Sequence, residues 1–337
     1  MRPRVSVVMS VHNGERYLRE AVDSILRQTL RDFEFLIVDD ASEDATPEIL
    51  ASYAAQDRRV VILRNENNIG PYPSANRAIE IARAPLIARM DSDDISDPER
   101  FSRQVSFMDA HPDHVLVGTS YRSIDGEGRL RYQRPNPMDD FSVRWVSRFR
   151  MPMVHPSFLF RARYPDGSPV FYREDHHVAQ DYALISDLLK AGRVAVLSDM
   201  LVDYRMHAVN ISSTKKREQD KIAYEVSRQI LLRESGSEMC ERFDILHATL
   251  YGRRRKSPAD ISIARQAFDK LIDGLTPQNS EKWQRRRAAG ILAETYLANE
   301  RGANAFHWFT QLCIRAPTYI YPLLLRVMEI RGYKNIK

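Results

Sequence analysis

Residues 5–11, Val-Ser-Val-Val-Met-Ser-Val, form a largely apolar run. A run of this length suits a strand that is buried on both faces, as strands of a parallel sheet are. Three further runs, at 35–38, 60–63 and 86–90, have the same character. Apolar residues at helical spacing lie between consecutive runs. This alternation predicts parallel βαβ units, and hence an α/β fold.

Two of the predicted helices begin with a capping residue followed by proline, at Thr46-Pro47 and Asp97-Pro98. Each places a side-chain oxygen where it can accept the first free N–H groups of a helix, and proline suits the first helical position. We therefore expect Thr46 and Asp97 to be N-caps.

The pattern changes after about residue 110. Apolar stretches on either side of the turn 125–128 predict a strand pair. Loops dominate residues 135–180, a helix is expected from near Asp181, and two short strands are expected at 194–197 and 201–204. From about residue 212 onward the sequence shows only helical patterns.

The chain is therefore expected to have two parts. We predict an α/β domain at residues 1–211, with a mixed sheet flanked by helices, and an all-α region at residues 212–337. Around Gly302, the spacing of Ala, Tyr and Leu loosely resembles a tetratricopeptide-type hairpin. Ordinary helix packing is the alternative for this region.

The composition is that of a globular protein. Of the 337 residues, 43% are hydrophobic and 28% are charged, which argues against wholesale disorder. Two cysteines, Cys240 and Cys313, are too few for a disulfide framework or a four-cysteine zinc site. No segment resembles a signal peptide or a membrane span. We expect a cytoplasmic protein.

Charge is unevenly distributed along the chain. Residues 206–337 hold 23 lysines and arginines against 14 acidic residues, whereas residues 1–205 hold 27 against 31. A basic C-terminal region can contact anionic lipid, which would place the protein at the inner face of the cytoplasmic membrane. A solvated helical surface explains the same charges. Nucleic acid is not an expected partner, because the basic clusters lack interleaved aromatic residues.

Acidic residues follow the strands of the predicted sheet. Asp39 and Asp40 end the second strand, and the stretch Asp91-Ser-Asp-Asp94 follows the fourth. Ligands bind at this edge of an open parallel sheet, so the carboxylates should converge there. A divalent cation, Mg²⁺ or Mn²⁺, would offset their repulsion. The alternative is that these residues only cap helices.

Neither usual phosphate-binding loop is present. The sequence has no Gly-x-Gly-x-x-Gly after the first strand and no Walker A motif. This disfavours dinucleotide oxidoreductases and P-loop nucleotide hydrolases, and it leaves diphosphate binding mainly to a metal ion.

Several stretches of residues 3–210, in order and at matching spacing, resemble the family 2 glycosyltransferases of the GT-A fold. They are Val5-Ser-Val-Val-Met-Ser-Val-His-Asn13, Leu36-Ile-Val-Asp-Asp-Ala-Ser42, Asn68-Ile-Gly70, Asn76, Met90-Asp-Ser-Asp-Asp-Ile95, His155-Pro-Ser-Phe-Leu-Phe-Arg161, Gln180-Asp-Tyr-Ala-Leu184 and Tyr204-Arg-Met-His207.

The resemblance implies a nucleoside-diphosphate sugar, with a UDP-sugar favoured, as the donor. Asp40 would accept a hydrogen bond from the base, and the family more often has tyrosine where this chain has His12. The residues implied in donor binding are Ser10, His12, Asn13, Asp40, Asn76 and Asp91. The implied metal ligands are Asp93, Asp91 and His207.

The resemblance also implies an inverting mechanism, which needs one base to take the proton of the acceptor hydroxyl. Asp181 occupies that position, and Glu174-Asp175 is a competing acidic pair. The family usually has Glu-Asp where this chain has Gln180-Asp181. His155 and Ser157 are expected to shape an acceptor loop, with a packing role as the alternative.

The resemblance thus implies a metal-dependent enzyme that moves a sugar to a saccharide or lipid-linked acceptor in bacterial surface polysaccharide or lipopolysaccharide assembly. Two alternatives stay open. One is a non-catalytic scaffold derived from this fold, and the other is a nucleotidyltransferase. The second usually has a glycine-rich phosphate loop with a basic residue, which this sequence lacks.

Overall fold

A computed structural model describes residues 2–173, 178–207, 216–251, 266–267 and 270. The described residues divide into two compact units, with divisions after residues 144, 150 and 223. The first unit contains residues up to 144 and residues 151–223, and it holds every described strand. Residues 145–150 belong with the segment after 223 in the second unit.

The N-terminal half of the sheet is parallel, as its alternating pattern predicts. Four strands pair in the order β3-β2-β1-β4, and every residue of β1 and β2 is buried. The strands are β1 (Val5–Val11), β2 (Phe33–Asp39), β3 (Val60–Arg64) and β4 (Leu86–Arg89). The connecting helices are α1 (Leu18–Leu26), α2 (Thr46–Gln56) and α3 (Pro71–Ile81).

The rest of the sheet is mixed. Its further strands are β5 (Ile95–Ser96), β6 (His114–Ile124), β7 (Leu130–Arg134), β8 (Leu159–Arg161) and β9 (Arg193–Arg205). The full order is β3-β2-β1-β4-β8-β6-β9-β5, with β7 paired to β6. Strand β8 runs antiparallel to β4 and β6, whereas β9 runs parallel to β6. The predicted mixed sheet and the predicted strand pair around residues 125–128 are both confirmed.

The remaining described helices flank or follow this part of the sheet. They are α4 (Arg100–Ala110), α5 (Asp140–Val146), a 3-10 turn (His155–Ser157), α6 (Gln180–Ala191) and α7 (Lys216–Tyr251). Inside α7, Gly236 has φ 80 and ψ 176, so two helical segments meet there at a kink.

Both predicted N-caps are wrong. Helix α2 already includes Thr46, whose N–H donates to Asp44 Oδ1 and whose hydroxyl accepts the N–H of Gly14 at 2.9 Å. Helix α4 begins only at Arg100, and Asp97 instead accepts the N–H of Glu99 in the turn before it. In both places a local polar turn precedes the helix and shifts its first residue.

The two strands expected near 194–197 and 201–204 are one strand, β9, interrupted by shifts of register against β6. The short strand β8 lies inside the stretch expected to be loops. It is only three residues long, and its position is fixed by pairing with β4 and β6 rather than by local pattern.

A hydrophobic core joins the parallel strands to their helices. Its members include Val7, Leu18, Phe35, Leu50 and Phe101, none exposed by more than 1%. Burying one such side chain stabilises the fold by about 1.5–3 kcal/mol. This core holds the strand ends at one edge of the sheet, where the acidic residues follow.

The second unit contains a small aromatic cluster. Phe243 lies between Tyr224 and Phe149, with ring centroids 5.5 and 5.9 Å away, and Cys240 is buried. The clusters of basic residues at 253–256 and 285–287 lie outside the described residues. So do the segment 319–328, which combines aromatic and aliphatic residues with one arginine, and the predicted hairpin around residue 302. None of the helices in the described ranges is long and apolar enough to cross a membrane.

Candidate functional site

The loops that follow β1 and β2 are joined by hydrogen bonds at the carboxyl edge of the sheet. His12 Nδ1 lies 2.8 Å from the carbonyl oxygen of Asp40. The backbone N–H of Asn13 donates to Ser42 Oγ at 3.0 Å, and Asn13 Oδ1 accepts the N–H of Glu43 at 2.9 Å. The structure thus places His12, Asn13 and Asp40 side by side, as the sequence predicts. Their part in nucleotide binding stays a prediction.

Asp40 organises the loop before α3. Its carboxylate accepts the N–H groups of Ile69 and Gly70 at 2.9 and 2.8 Å and the side-chain amide of Asn65 at 2.6 Å. Asp40 is only 2% exposed. A carboxylate has about four acceptor positions, so these bonds leave capacity for a further donor such as a base N–H. Ser10 faces the same loop and donates its hydroxyl to the carbonyl oxygen of Pro71 at 2.7 Å.

Two of the predicted metal ligands meet. His207 follows β9, Asp93 follows β4, and His207 Nε2 lies 2.9 Å from Asp93 Oδ2. Asp91 has different partners, because its Oδ1 lies 3.0 Å from the guanidinium of Arg89 and 3.7 Å from His155 Nδ1. Within the described part of the chain, no group of three histidine, cysteine or acidic side chains forms a complete metal-binding set.

Arg205 holds the Asp93 loop in place, a role that the sequence analysis missed. Its guanidinium is buried, donates from Nε to the carbonyl oxygen of Asp93 at 2.7 Å and pairs with Glu20 of α1. The guanidinium also packs over the ring of Tyr17, and its Cζ lies 4.6 Å from the ring centroid. Arginine two residues before His207 is the only sequence signal for this role.

Asp94 also holds this loop against the end of β9. It is 1% exposed, and its Oδ1 accepts the backbone N–H of Arg205 at 2.7 Å. Burial, followed by the charges of Asp93 and Asp91, raises the pKa of Asp94 well above its usual range. The carboxylates of Asp91 and Asp93 therefore disfavour a further negative charge at Asp94, and carboxylate oxygens are ligands that a hard metal ion prefers.

Asp181 stands at the start of α6. The residue before this helix, Ala179, has a left-handed backbone with φ 54. Burial raises the pKa of Asp181 to about 6; the charge of Asp91 acts in the same direction, and the backbone N–H of Tyr182 opposes it. Asp181 is thus poised to exchange a proton near neutral pH. The competing pair at 174–175 lies outside the described residues.

His155 is largely buried beside Asp91. Its Nε2 lies 2.7 Å from the hydroxyl of Tyr172, and burial lowers the pKa of His155 to about 3, so the imidazole is neutral. Ser157 is fully buried and donates its hydroxyl to the carbonyl oxygen of Val154, which favours its alternative packing role.

Asn76 and Arg100 connect the segments that surround Asp91 and His155. The side-chain amide of Asn76 makes two hydrogen bonds of 2.8 Å with the backbone of Tyr172. Arg100, fully buried, donates to the carbonyl oxygens of Arg89 and Phe158 at 2.9 and 3.1 Å. Burial lowers the pKa of Arg100 to about 9, which leaves it charged at neutral pH. These contacts fix the Asp91 loop relative to the 3-10 turn.

Comparison with known proteins identifies the family. The family model described as "Glycosyl transferase family 2" matches residues 6–181. The O-antigen biosynthesis glycosyltransferase WbnJ of Escherichia coli is 30% identical over 239 residues, covering 68% of this chain and 88% of that protein. The amylovoran biosynthesis glycosyltransferase AmsE of Erwinia amylovora is 30% identical over 203 residues, covering 59% and 75%.

Solved structures share the fold. Crystal structures of TarS from S. aureus match with TM-scores of 0.56 for one structure and 0.52 for residues 1–349 in complex with UDP. The first covers 87% of this chain and 54% of that chain at 18% identity, and the second covers 98% and 89% at 17% identity. The expected GT-A fold is confirmed. The chain belongs to glycosyl transferase family 2 and is a glycosyltransferase.

Proposed function

We propose that the enzyme transfers a sugar from a nucleoside diphosphate to an acceptor hydroxyl with inversion, assisted by a divalent metal ion. The observation that carries this proposal is Asp181. Its pKa of about 6 leaves it ionised at neutral pH yet basic enough to take a proton from a hydroxyl that is attacking the sugar. Inversion follows from a single displacement, which needs one such base.

The donor pocket is proposed at the edge formed by Ser10, His12 and Asp40. The buried carboxylate of Asp40 has acceptor capacity for a base N–H, and the imidazole of His12 offers a flat surface for a base or ribose. UDP-sugars remain the favoured class. A TarS structure is in complex with UDP-GlcNAc, but its sequence identity to this chain, 18%, supports a shared fold and not a shared donor.

Asp93 and His207 would hold the metal ion, with Asp91 nearby. Mg²⁺ and Mn²⁺ sites commonly use one or two protein side chains, with the substrate's phosphate oxygens and water completing the coordination. A pair of protein ligands at 2.9 Å separation fits such a site. The ion would offset the negative charge of the departing diphosphate.

The proposed setting is surface polysaccharide assembly, supported by the names of WbnJ and AmsE. The acceptor would be a saccharide or a lipid-linked saccharide. A lipid-linked acceptor would suit a cytoplasmic enzyme that contacts the inner face of the membrane through its basic C-terminal region.

A thermal-shift screen tests donor binding directly. UDP-, GDP-, CMP- and dTDP-sugars are compared with and without Mn²⁺, because a ligand that binds the native state raises Tm by mass action. We expect one nucleotide class to raise Tm, and more so with Mn²⁺. Folded protein with no shift for any donor would contradict the proposal.

A further inference from the structure

Tyr72 is held on an unusually rigid stretch of backbone. It occupies the first turn of α3 between Pro71 and Pro73, directly after Gly70, whose φ is 93. Each proline fixes its own φ near −65°. The backbone that carries Tyr72 therefore has little freedom before any ligand binds.

The ring of Tyr72 packs in an aromatic cluster with His155 and Tyr172. Its centroid lies 5.8 Å from that of His155 and 5.2 Å from that of Tyr172, and the latter two are 5.5 Å apart. The hydroxyl of Tyr172 is used by His155. By contrast, Tyr72 is partly exposed, and the described residues give its hydroxyl no hydrogen-bond partner.

Tyr72 adjoins both halves of the site. On one side, the carbonyl oxygen of the preceding residue, Pro71, accepts the hydroxyl of Ser10 in the proposed nucleotide pocket. On the other, the charges of Asp181 and Asp91, after burial as the largest cause, raise the pKa of Tyr72 well above its usual value. Tyr72 therefore keeps its proton and can donate as well as accept.

In the proposed reaction, the transferred sugar occupies the space between the nucleotide pocket and Asp181. Its anomeric carbon must lie between the diphosphate, which leaves, and the acceptor hydroxyl, whose proton Asp181 takes. An uncharged tyrosine hydroxyl that has no hydrogen-bond partner in the described ranges can both donate to and accept from the hydroxyl groups of a pyranose.

We propose that Tyr72 contacts the transferred sugar of the donor, hydrogen-bonding one of its hydroxyl groups and so determining which sugars bind. This inference rests on the proposed function. A site built to bond a substrate hydroxyl discriminates strongly against analogues that lack it, because the site's own polar group is then left unpaired.

The test separates the sugar from the nucleotide. Binding of UDP, UDP-glucose, UDP-GlcNAc and GDP-mannose is measured calorimetrically with Mn²⁺ for wild type, Tyr72→Phe and the control Tyr53→Phe, which alters a tyrosine of α2 that donates to Asp23 of α1. For Tyr72→Phe we expect an unchanged Kd for UDP, about tenfold weaker binding of the preferred nucleotide sugar, and a smaller preference among sugars. Tyr53→Phe should match wild type in binding.

A second measurement uses deoxy analogues of the preferred donor. Wild type should bind the analogue that lacks the contacted hydroxyl about tenfold more weakly than the parent donor, whereas Tyr72→Phe should bind the two alike. Equal losses for UDP and for UDP-sugar in Tyr72→Phe would overturn the inference and indicate a role in loop structure. So would unchanged sugar preference. If wild type binds UDP-sugars and Tyr72→Phe binds them identically, only the inference about Tyr72 is refuted. If wild type binds no donor, the proposed function is refuted and this inference with it.

Discussion

His207 Nε2 lies 2.9 Å from Asp93 Oδ2, although 114 residues separate them in sequence. The approach depends on Arg205 and Asp94, which join the end of β9 to the loop after β4. The pair is the structural basis for the proposed metal site.

Removing either member of this pair should weaken metal-dependent donor binding. In Asp93→Asn and His207→Ala we expect the Mn²⁺-induced gain in nucleotide affinity to fall at least about tenfold, because each change removes one of two protein ligands. Titration calorimetry with and without Mn²⁺ measures the gain. His111→Ala, which changes a surface histidine on a helix end, is the control. A full Mn²⁺ effect in both variants would exclude the pair as ligands.

Arg205→Ala should lower stability and also weaken metal binding. The change leaves the carbonyl oxygen of Asp93 without its buried donor and removes the cation beside Asp94, at a cost of about 2–4 kcal/mol. Arg205→Lys should recover part of the stability but less of the metal affinity, because lysine cannot reproduce the planar set of donors. Denaturant unfolding and Mn²⁺ titration give the two values. Equal recovery of both by lysine would show that Arg205 supplies only charge.

The raised pKa of Asp181 predicts how the stability of the fold changes with pH. The native state holds this proton up to about pH 6, whereas an unfolded aspartate releases it near pH 4. Ionised Asp181 therefore lowers the free energy of unfolding above about pH 6, and this loss disappears as the pH falls below about 4. Asp181→Asn should raise the free energy of unfolding by about 2 kcal/mol at pH 8 and change it little at pH 4. Urea titrations of both proteins at the two pH values measure the difference. A variant that is less stable at pH 8 would contradict the assigned pKa.

Gln180 offers a way to shift the pH dependence of transfer. It is 2% exposed, and among the described residues its Oε1 has no hydrogen-bond partner. Gln180→Glu places a second carboxylate next to Asp181, which should raise the pKa of the pair. The acidic limb of the kcat profile should move up by about one pH unit. Gln133→Glu, at an exposed position of β7, should leave the profile unchanged. A profile that does not move in Gln180→Glu would argue that Asp181 does not limit the acidic limb.

The sequence predicts the parallel half of the sheet because each strand there is a local apolar run with a helix beside it. It misses β8, since three residues carry too little pattern and long-range pairing decides their state. The acidic residues after β4 could be located by their place at a strand end. The sequence could not show which side chains would meet these acidic residues, because Arg205 and His155 come from distant parts of the chain.

Tyr72 shows the same limit. Its two flanking prolines are visible in sequence, but its neighbours His155 and Tyr172 come together only in the fold. Helix starts fail for a related reason, since Thr46 bonds to Gly14 rather than capping its own helix.

The most direct test of the account is single-turnover transfer by Asp181→Asn, once the thermal-shift screen has identified the donor. Asn keeps the shape of the side chain but cannot accept a proton as a base. The account predicts donor affinity within about twofold of wild type and transfer slowed by at least about 100-fold across pH 6–8. Transfer at the wild-type rate, with donor bound normally, would show that Asp181 is not the base.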